Sequence, residues 1–84
     1  MKDATWTNQA IPALTSLNRR DRQGLLDRIE VLTEVPAMYP ARQRGRFANL
    51  RYFVLNKRWV MYYRPNETGG LLIFAIVSAR ARPR

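Results

Sequence analysis

Residues 50–78, LRYFVLNKRWVMYYRPNETGGLLIFAIVS, contain three apolar segments from which the architecture of the chain can be predicted. Runs of β-branched, aromatic and aliphatic residues follow one another there at 50–55, 59–63 and 71–77. Asn56-Lys57 separates the first two runs, and a glycine-containing segment separates the last two. This pattern predicts three strands joined as an antiparallel meander. The third strand is apolar on both faces, which predicts a central position in the sheet.

Side chains alternate along the second of these strands, so it has two different faces. One face is formed by Trp59, Met61 and Tyr63, and the other by Arg58, Val60, Tyr62 and Arg64. We expect the first face to pack against helices. The second face would then present arginine and tyrosine to the partner of the protein.

The residues before this region predict a short strand and two helices. Residues 2–7 suggest the strand, and a helix should start near Asn8 or Gln9, because Pro12 is tolerated only in a first turn. Asn18 has the position of an N-cap, with Asp21 as the acid of a capping box. The apolar stripe predicted for the second helix is Leu25, Leu26, Ile29 and Leu32. That helix should end at Val35-Pro36, and residues 36–45 should form a loop.

The predicted fold is therefore a single α+β domain over residues 1–84, with the order βααβββ. An N-terminal strand and an antiparallel helix hairpin would pack on a small twisted antiparallel sheet. The length of 84 residues supports one domain with a modest core. Trp6, Trp59 and Phe74 are expected to belong to that core.

Composition excludes several kinds of function. The chain has no His and no Cys, which removes the usual general base and the commonest zinc ligands. Asp27, Glu30 and Glu34 share a helix with Arg28 and do not form a convincing metal site, so neither a metal nor another cofactor is expected. No apolar run approaches the ~20 residues that cross a bilayer, and the first residues lack a signal core. A cytoplasmic protein without membrane contact is expected.

Charge is concentrated in the sheet half of the sequence. Residues 1–34 are neutral overall, whereas residues 35–84 contain ten basic residues and one acid and carry the entire net charge of +9. Thirteen of the 15 basic residues are arginine, which binds phosphate or carboxylate bidentately. A polyanion or an acidic protein is the expected partner.

The candidate functional residues are the arginines and the tyrosine predicted on the sheet and after it. They are Arg51, Arg58, Tyr62, Arg64, Arg80 and Arg82. Guanidinium groups could hold phosphates and tyrosine could stack on a base, so such a set could bind or cleave RNA without histidine. The alternative is that these arginines are solvated or pair with the acids of a partner protein. The run from Arg19 to Arg22 is expected to be a solvated helix start.

Several segments resemble the RelE/ParE toxin superfamily of bacterial type II toxin-antitoxin systems. WTNQAIPALTSL and LLDRIEVLTEVP are similar to the helix hairpin of that family. RGRFANLRYFVLNKRWVMYYRP is similar to its long β-hairpin, and GGLLIFAIVSARARPR to its last strand and basic terminus. The resemblance covers almost the whole chain.

The resemblance implies a growth-inhibiting toxin that a cognate antitoxin protein neutralises. It also implies one of two targets, the ribosome with its mRNA or DNA gyrase. If the toxin is an enzyme, it is an endoribonuclease, an mRNA interferase, with Arg51, Tyr62, Arg80 and Arg82 as the catalytic residues. The residues implied for binding RNA or another target are Arg46, Lys57, Arg58, Arg64 and Arg84. Phe53 and Val60 occupy positions that are basic in the nucleases, which leaves a gyrase poison or a non-toxic nucleic-acid-binding module as alternatives.

Overall fold

The computed structural model describes residues 4–67 and 69–79. Its elements are β1 (Ala4–Trp6), α1 (Ala10–Ser16), α2 (Arg19–Glu34), β2 (Arg51–Leu55), β3 (Trp59–Pro65) and β4 (Leu71–Ser78). The α+β class and the order βααβββ are confirmed. Arg80, Arg82 and Arg84 lie outside the described residues.

The four strands form one sheet in the order β1-β4-β3-β2. β2, β3 and β4 form the predicted antiparallel meander, and β4 lies between two strands as expected. The prediction of a wholly antiparallel sheet is wrong, because β1 pairs parallel with β4. Two helices and a long antiparallel hairpin separate these strands in the chain, which leaves enough chain for the crossover that parallel pairing needs.

Both helices contribute to one core on the same face of the sheet. α1 packs on β4 and α2 on β2, while the antiparallel orientation of the two helices stays a prediction. The core residues are Ala10, Leu17, Leu25, Ile29, Leu32, Phe53, Leu55, Met61, Tyr63, Leu71, Ile73 and Ile76. Trp6 and Trp59 pack against this core, as predicted. We call the opposite face of the sheet the open face.

The prediction that Leu26 belongs to the apolar stripe of α2 is wrong. Leu26 is 43% exposed, and the buried residues of α2 are Asp21, Leu25, Ile29 and Leu32. Successive residues differ by about 100° around a helix, so Leu25 and Leu26 cannot both face the centre of the core. The predicted N-cap is confirmed, since the side chain of Asn18 accepts a hydrogen bond from the backbone N–H of Asp21 at 2.7 Å.

A register shift in the β3–β4 pair changes which residues of β4 face the helices. Tyr62 lies opposite Ala75 and Tyr63 opposite Ile73, so Phe74 is an extra residue on β4. Because of this bulge, Phe74 and Ala75 both belong to the open face, where Phe74 packs in a second apolar cluster. The expectation that Phe74 is an apolar packing residue is confirmed, but it packs on the side away from the helices.

The segment between α2 and β2 is more ordered than the predicted loop. Ala41 forms an antiparallel bridge with Arg51, and the backbone N–H of Tyr52 donates to the carbonyl of Pro40 at 3.2 Å. Farther along, the N–H of Arg42 donates to the carbonyl of Leu50 at 2.8 Å. This segment therefore borders β2 before it turns over the open face.

Gly24 on α2 permits a stability prediction. A Cβ atom there would lie 3.5 Å from Cδ1 of Leu55, which is ordinary van der Waals contact. We expect Gly24→Ala to stabilise the protein by about 0.5–1 kcal/mol in urea unfolding, because alanine favours the helix. Gly45→Ala is the matched control and should lose stability, since Gly45 has φ +92. A destabilised Gly24→Ala would contradict the described spacing of α2 and β2.

Candidate nucleic-acid interface

The sheet separates Arg51 from Tyr62, two residues that the resemblance places in one catalytic set. Arg51 lies opposite Tyr63 and Tyr52 lies opposite Tyr62 in the β2–β3 register. Alternation therefore puts Arg51 on the helix side with Phe53, and Tyr62 on the open face. Arg51 and Tyr62 consequently cannot act on the same reacting atoms in this structure.

Arg51 contributes to the attachment of the segment after α2. Its guanidinium donates a hydrogen bond to the backbone carbonyl of Tyr39, and the Tyr63 hydroxyl donates to the carbonyl of Pro36 at 3.0 Å. Burial raises the pKa of Tyr63 above its usual 10.0, so this hydroxyl stays protonated as a donor. The two bonds fasten residues 36–39 to the sheet, which gives Arg51 a structural role.

Arg58 and Lys57 lie in the β2–β3 turn. Asn56 and Lys57 both have positive φ, 51 and 61, as a tight hairpin turn requires. Nη2 of Arg58 lies 3.9 Å from Oδ1 of Asp21, on the helix side. The expectation that Arg58 shares a surface with Tyr62 and Arg64 is therefore wrong, because the turn departs from the alternation of β3.

Tyr62 is covered by another aromatic ring. Only 2% of the residue is exposed, and its ring stacks on Phe47 with centroids 4.0 Å apart and an interplanar angle of 18°. The backbone carries Phe47 there on the loop between Arg42 and Leu50. Phe47 accordingly lies over the residue for which a catalytic role was expected.

The open face carries an apolar cluster bordered by arginines. Leu50, Val60, Tyr62 and Ala75 are buried in it, and Phe47, Tyr52, Phe74, Val77 and Ala79 pack around them. The guanidinium of Arg46 lies over the Phe47 ring at 5.5 Å, and that of Arg42 over the Tyr52 ring at 5.6 Å. Alternation with Tyr62 places the exposed Arg64 on this face as well.

We call Phe47, Tyr52, Arg42, Arg46 and Arg64, which lie around and over the buried Tyr62, the aromatic-arginine surface. Sequence reasoning predicted Arg46 and Arg64 as binding residues but missed Phe47, Tyr52 and Arg42, and the Tyr62 that it placed on this face is buried beneath Phe47. The available signal was RQRGRF at residues 42–47, in which arginines alternate with other residues and lead directly to an aromatic ring. Aromatic rings beside arginines are the chemistry with which proteins stack single-stranded bases and bind their phosphates.

Asp21 is the buried acid near the start of α2, and only 1% of it is exposed. Its carboxylate accepts hydrogen bonds from Nδ2 of Asn56 at 2.6 Å and from Nε1 of Trp59 at 3.1 Å. The Asn18 side chain caps the Asp21 N–H as predicted, but the Asp21 side chain is directed to the β2–β3 turn. Asp21 thus joins α2 to the hairpin.

The contacts of Asp21 predict an acid-dependent stability. The hydrogen bond from Asn56, together with that from Trp59 and the nearby charge of Arg58, lowers the pKa of Asp21 below its ordinary 3.8. The folded protein therefore binds this proton less tightly than the unfolded chain. The resulting stabilisation is present above the unfolded pKa and disappears as pH falls through the lower folded pKa.

We expect Asp21→Asn to lower the melting temperature at neutral pH, because an amide cannot accept both hydrogen bonds as a carboxylate does. The difference from the natural protein should shrink as the pH falls below 3.8, the ordinary pKa of this carboxyl. Thermal unfolding followed by circular dichroism from neutral pH to acid measures both effects. Asp27→Asn, at an exposed position of the same helix, is the control. Equal acid sensitivity of the two variants would contradict the assignment to Asp21.

The part of the chain described by the structure holds no group of three or more acidic side chains placed to bind a metal ion. Within that same part, no helix has both the length and the apolar character needed to cross a bilayer. The sequence matches no protein-family model and no curated protein.

Proposed function

We propose that this chain is the toxin of a toxin-antitoxin pair and that it arrests growth by binding RNA at the ribosome. The observation that carries the proposal is the aromatic-arginine surface, on which Arg46 lies over Phe47 and Arg42 over Tyr52. The resemblance to RelE/ParE toxins supplies the biological setting. The excess of basic residues after residue 34 supports a polyanionic target.

The proposed mode of action is binding. Bases of single-stranded RNA stack against the rings and guanidinium groups of the open face, while arginines contact the phosphates. The opposite positions of Arg51 and Tyr62 argue against a cleavage mechanism that uses both residues. A basic toxin bound in this way would block translation by occupying the RNA.

DNA gyrase is the second candidate target. The separation of Arg51 from Tyr62 favours it, because a gyrase poison needs no nuclease residues. The cognate antitoxin is the expected partner in both cases. An acidic segment of that protein could cover the arginines of the open face and neutralise the toxin.

Controlled induction of the gene, with and without a cognate antitoxin, tests the proposal. We expect growth arrest with a rapid fall in amino-acid incorporation, and the antitoxin should reverse both. Intact translation with an SOS response and linearised DNA would instead identify gyrase as the target. Unimpaired growth of cells that accumulate the folded protein would refute the toxin proposal.

A matched pair of variants locates the surface in the same assay. Arg46→Gln removes a guanidinium from the aromatic-arginine surface, and Arg28→Gln removes one from α2 with the same change in charge. We expect Arg46→Gln to weaken growth arrest and Arg28→Gln to retain it. Equal effects would show that overall charge, and not this surface, determines toxicity.

A further inference from the structure

The fold brings cations from two distant segments together at one end of the molecule. Arg19 and Arg20 lie in the first turn of α2, and Lys57 and Arg58 lie in the β2–β3 turn. All four residues are exposed. We call these four residues the basic end, and it is separate from the aromatic-arginine surface on the open face.

A buried carboxylate holds the two segments of the basic end in place. Asp21 follows Arg20 directly and accepts hydrogen bonds from Asn56 and Trp59, which flank Lys57 and Arg58. The single Asp21 charge lies 3.9 Å from the Arg58 guanidinium and leaves the basic end with a net positive charge. The positions of these cations are therefore set by buried contacts, while their charged groups stay in solvent.

A groove runs along α2 beside the β2–β3 turn. It has a volume of about 620 Å³ and is lined by Arg19, Arg20, Gln23, Gly24, Asp27 and Asn56. Gly24 has no side chain to fill the floor, and α2 approaches the turn closely there. Asp27 already accepts a hydrogen bond from Nε2 of Gln23 at 2.9 Å, so its carboxylate is partly satisfied.

We propose that the basic end docks the phosphodiester backbone of RNA, as a second contact beyond the aromatic-arginine surface. The choice of RNA as the nucleic acid rests on the proposed function. The net positive charge of the basic end is complementary to the phosphates of such a backbone.

The salt dependence of RNA binding tests this inference. The probe is a fluorescent single-stranded RNA of mixed sequence, and its affinity is measured by anisotropy over roughly 50 to 200 mM salt. Removing one cation that neutralises a phosphate should reduce the slope of log affinity against log salt by about 0.7. We expect this reduction in Arg20→Gln and in Lys57→Gln, and a reduction of about 1.4 in the double variant.

Arg28→Gln is the matched control, because it removes one charge from α2 at a residue that lies over the Tyr39 ring and does not belong to the basic end. Its slope should equal that of the natural protein. Slopes that are the same in Arg20→Gln, Lys57→Gln and Arg28→Gln would overturn the inference. Weaker binding to polyglutamate with unchanged RNA binding in Arg20→Gln and Lys57→Gln would also overturn it.

Failure of this inference can be distinguished from failure of the proposed function. Growth arrest on induction together with unchanged salt slopes would overturn only the inference that the basic end binds RNA. Reduced salt slopes in the variants of a protein whose induction causes no growth arrest would support RNA binding by the basic end. The same result would refute the proposal that the protein is a toxin. Circular dichroism melting of Arg20→Gln, Lys57→Gln and the double variant shows whether each of them folds.

Discussion

Leu25→Ala should destabilise the protein by about 2–5 kcal/mol, a large share of the stability of a domain of this size. Leu25 is fully buried in the core between α2 and the sheet. Truncation removes apolar packing and leaves a cavity that the surrounding side chains fill only in part. Urea unfolding followed by circular dichroism measures the destabilisation as a lower transition midpoint.

Leu26→Ala is the matched control for that prediction. Leu26 is the adjacent residue, undergoes the same chemical change and is 43% exposed. We expect its effect to stay within about 0.5 kcal/mol, as is usual for surface positions. Equal destabilisation by both variants would show that α2 is rotated about its axis relative to the described structure.

Phe47→Leu should have the largest effect on RNA binding. Leucine keeps most of the apolar volume over Tyr62 but cannot stack on a base or support the guanidinium of Arg46. Stacking contributes about 1–3 kcal/mol per base, so we expect affinity to fall by roughly 5- to 150-fold. Fluorescence anisotropy with single-stranded RNA measures this affinity. Growth arrest on induction should weaken in parallel.

Val54→Ala controls for nonspecific disturbance of the open face. Val54 is 52% exposed, lies on β2, and by alternation faces the same side as Tyr52. It lies outside the aromatic-arginine surface, so we expect its RNA affinity to be unchanged. Equal RNA affinities of Phe47→Leu and Val54→Ala would contradict the proposal that RNA bases stack on Phe47.

Local signals predicted most of the fold. The turn residues Asn56 and Lys57 marked the hairpin, and Asn18 marked the start of α2, because each acts through bonds to its own near neighbours. The alternation of β3 correctly separated Met61 and Tyr63 from Val60 and Tyr62. These features depend on the periodicity of apolar residues and on the turn and cap preferences of single residues, which are properties of short segments.

The candidate site was predicted less well because it depends on contacts between distant residues. Alternation relates residues within one strand only, so the register of β2 against β3 was needed to show that Arg51 and Tyr62 occupy opposite faces. Phe47 gave no periodic signal, since a loop carries it onto Tyr62. The side chain of Arg58 was predicted on the wrong face, because the conformation of the β2–β3 turn directs it toward Asp21.

Sequence patterns were enough to predict the α+β class, the order of the elements, the central position of β4 and the concentration of positive charge after residue 34. These features follow from the composition of the chain and from the spacing of apolar residues within short segments. The three-dimensional contacts were needed to show that β1 runs parallel to β4, that Phe47 covers Tyr62, and that Asp21 joins the start of α2, with Arg19 and Arg20, to the turn that carries Lys57 and Arg58. The reason is that strand pairing, ring stacking and a buried hydrogen bond join residues that are far apart in the chain, and their free energies arise only when the whole core forms.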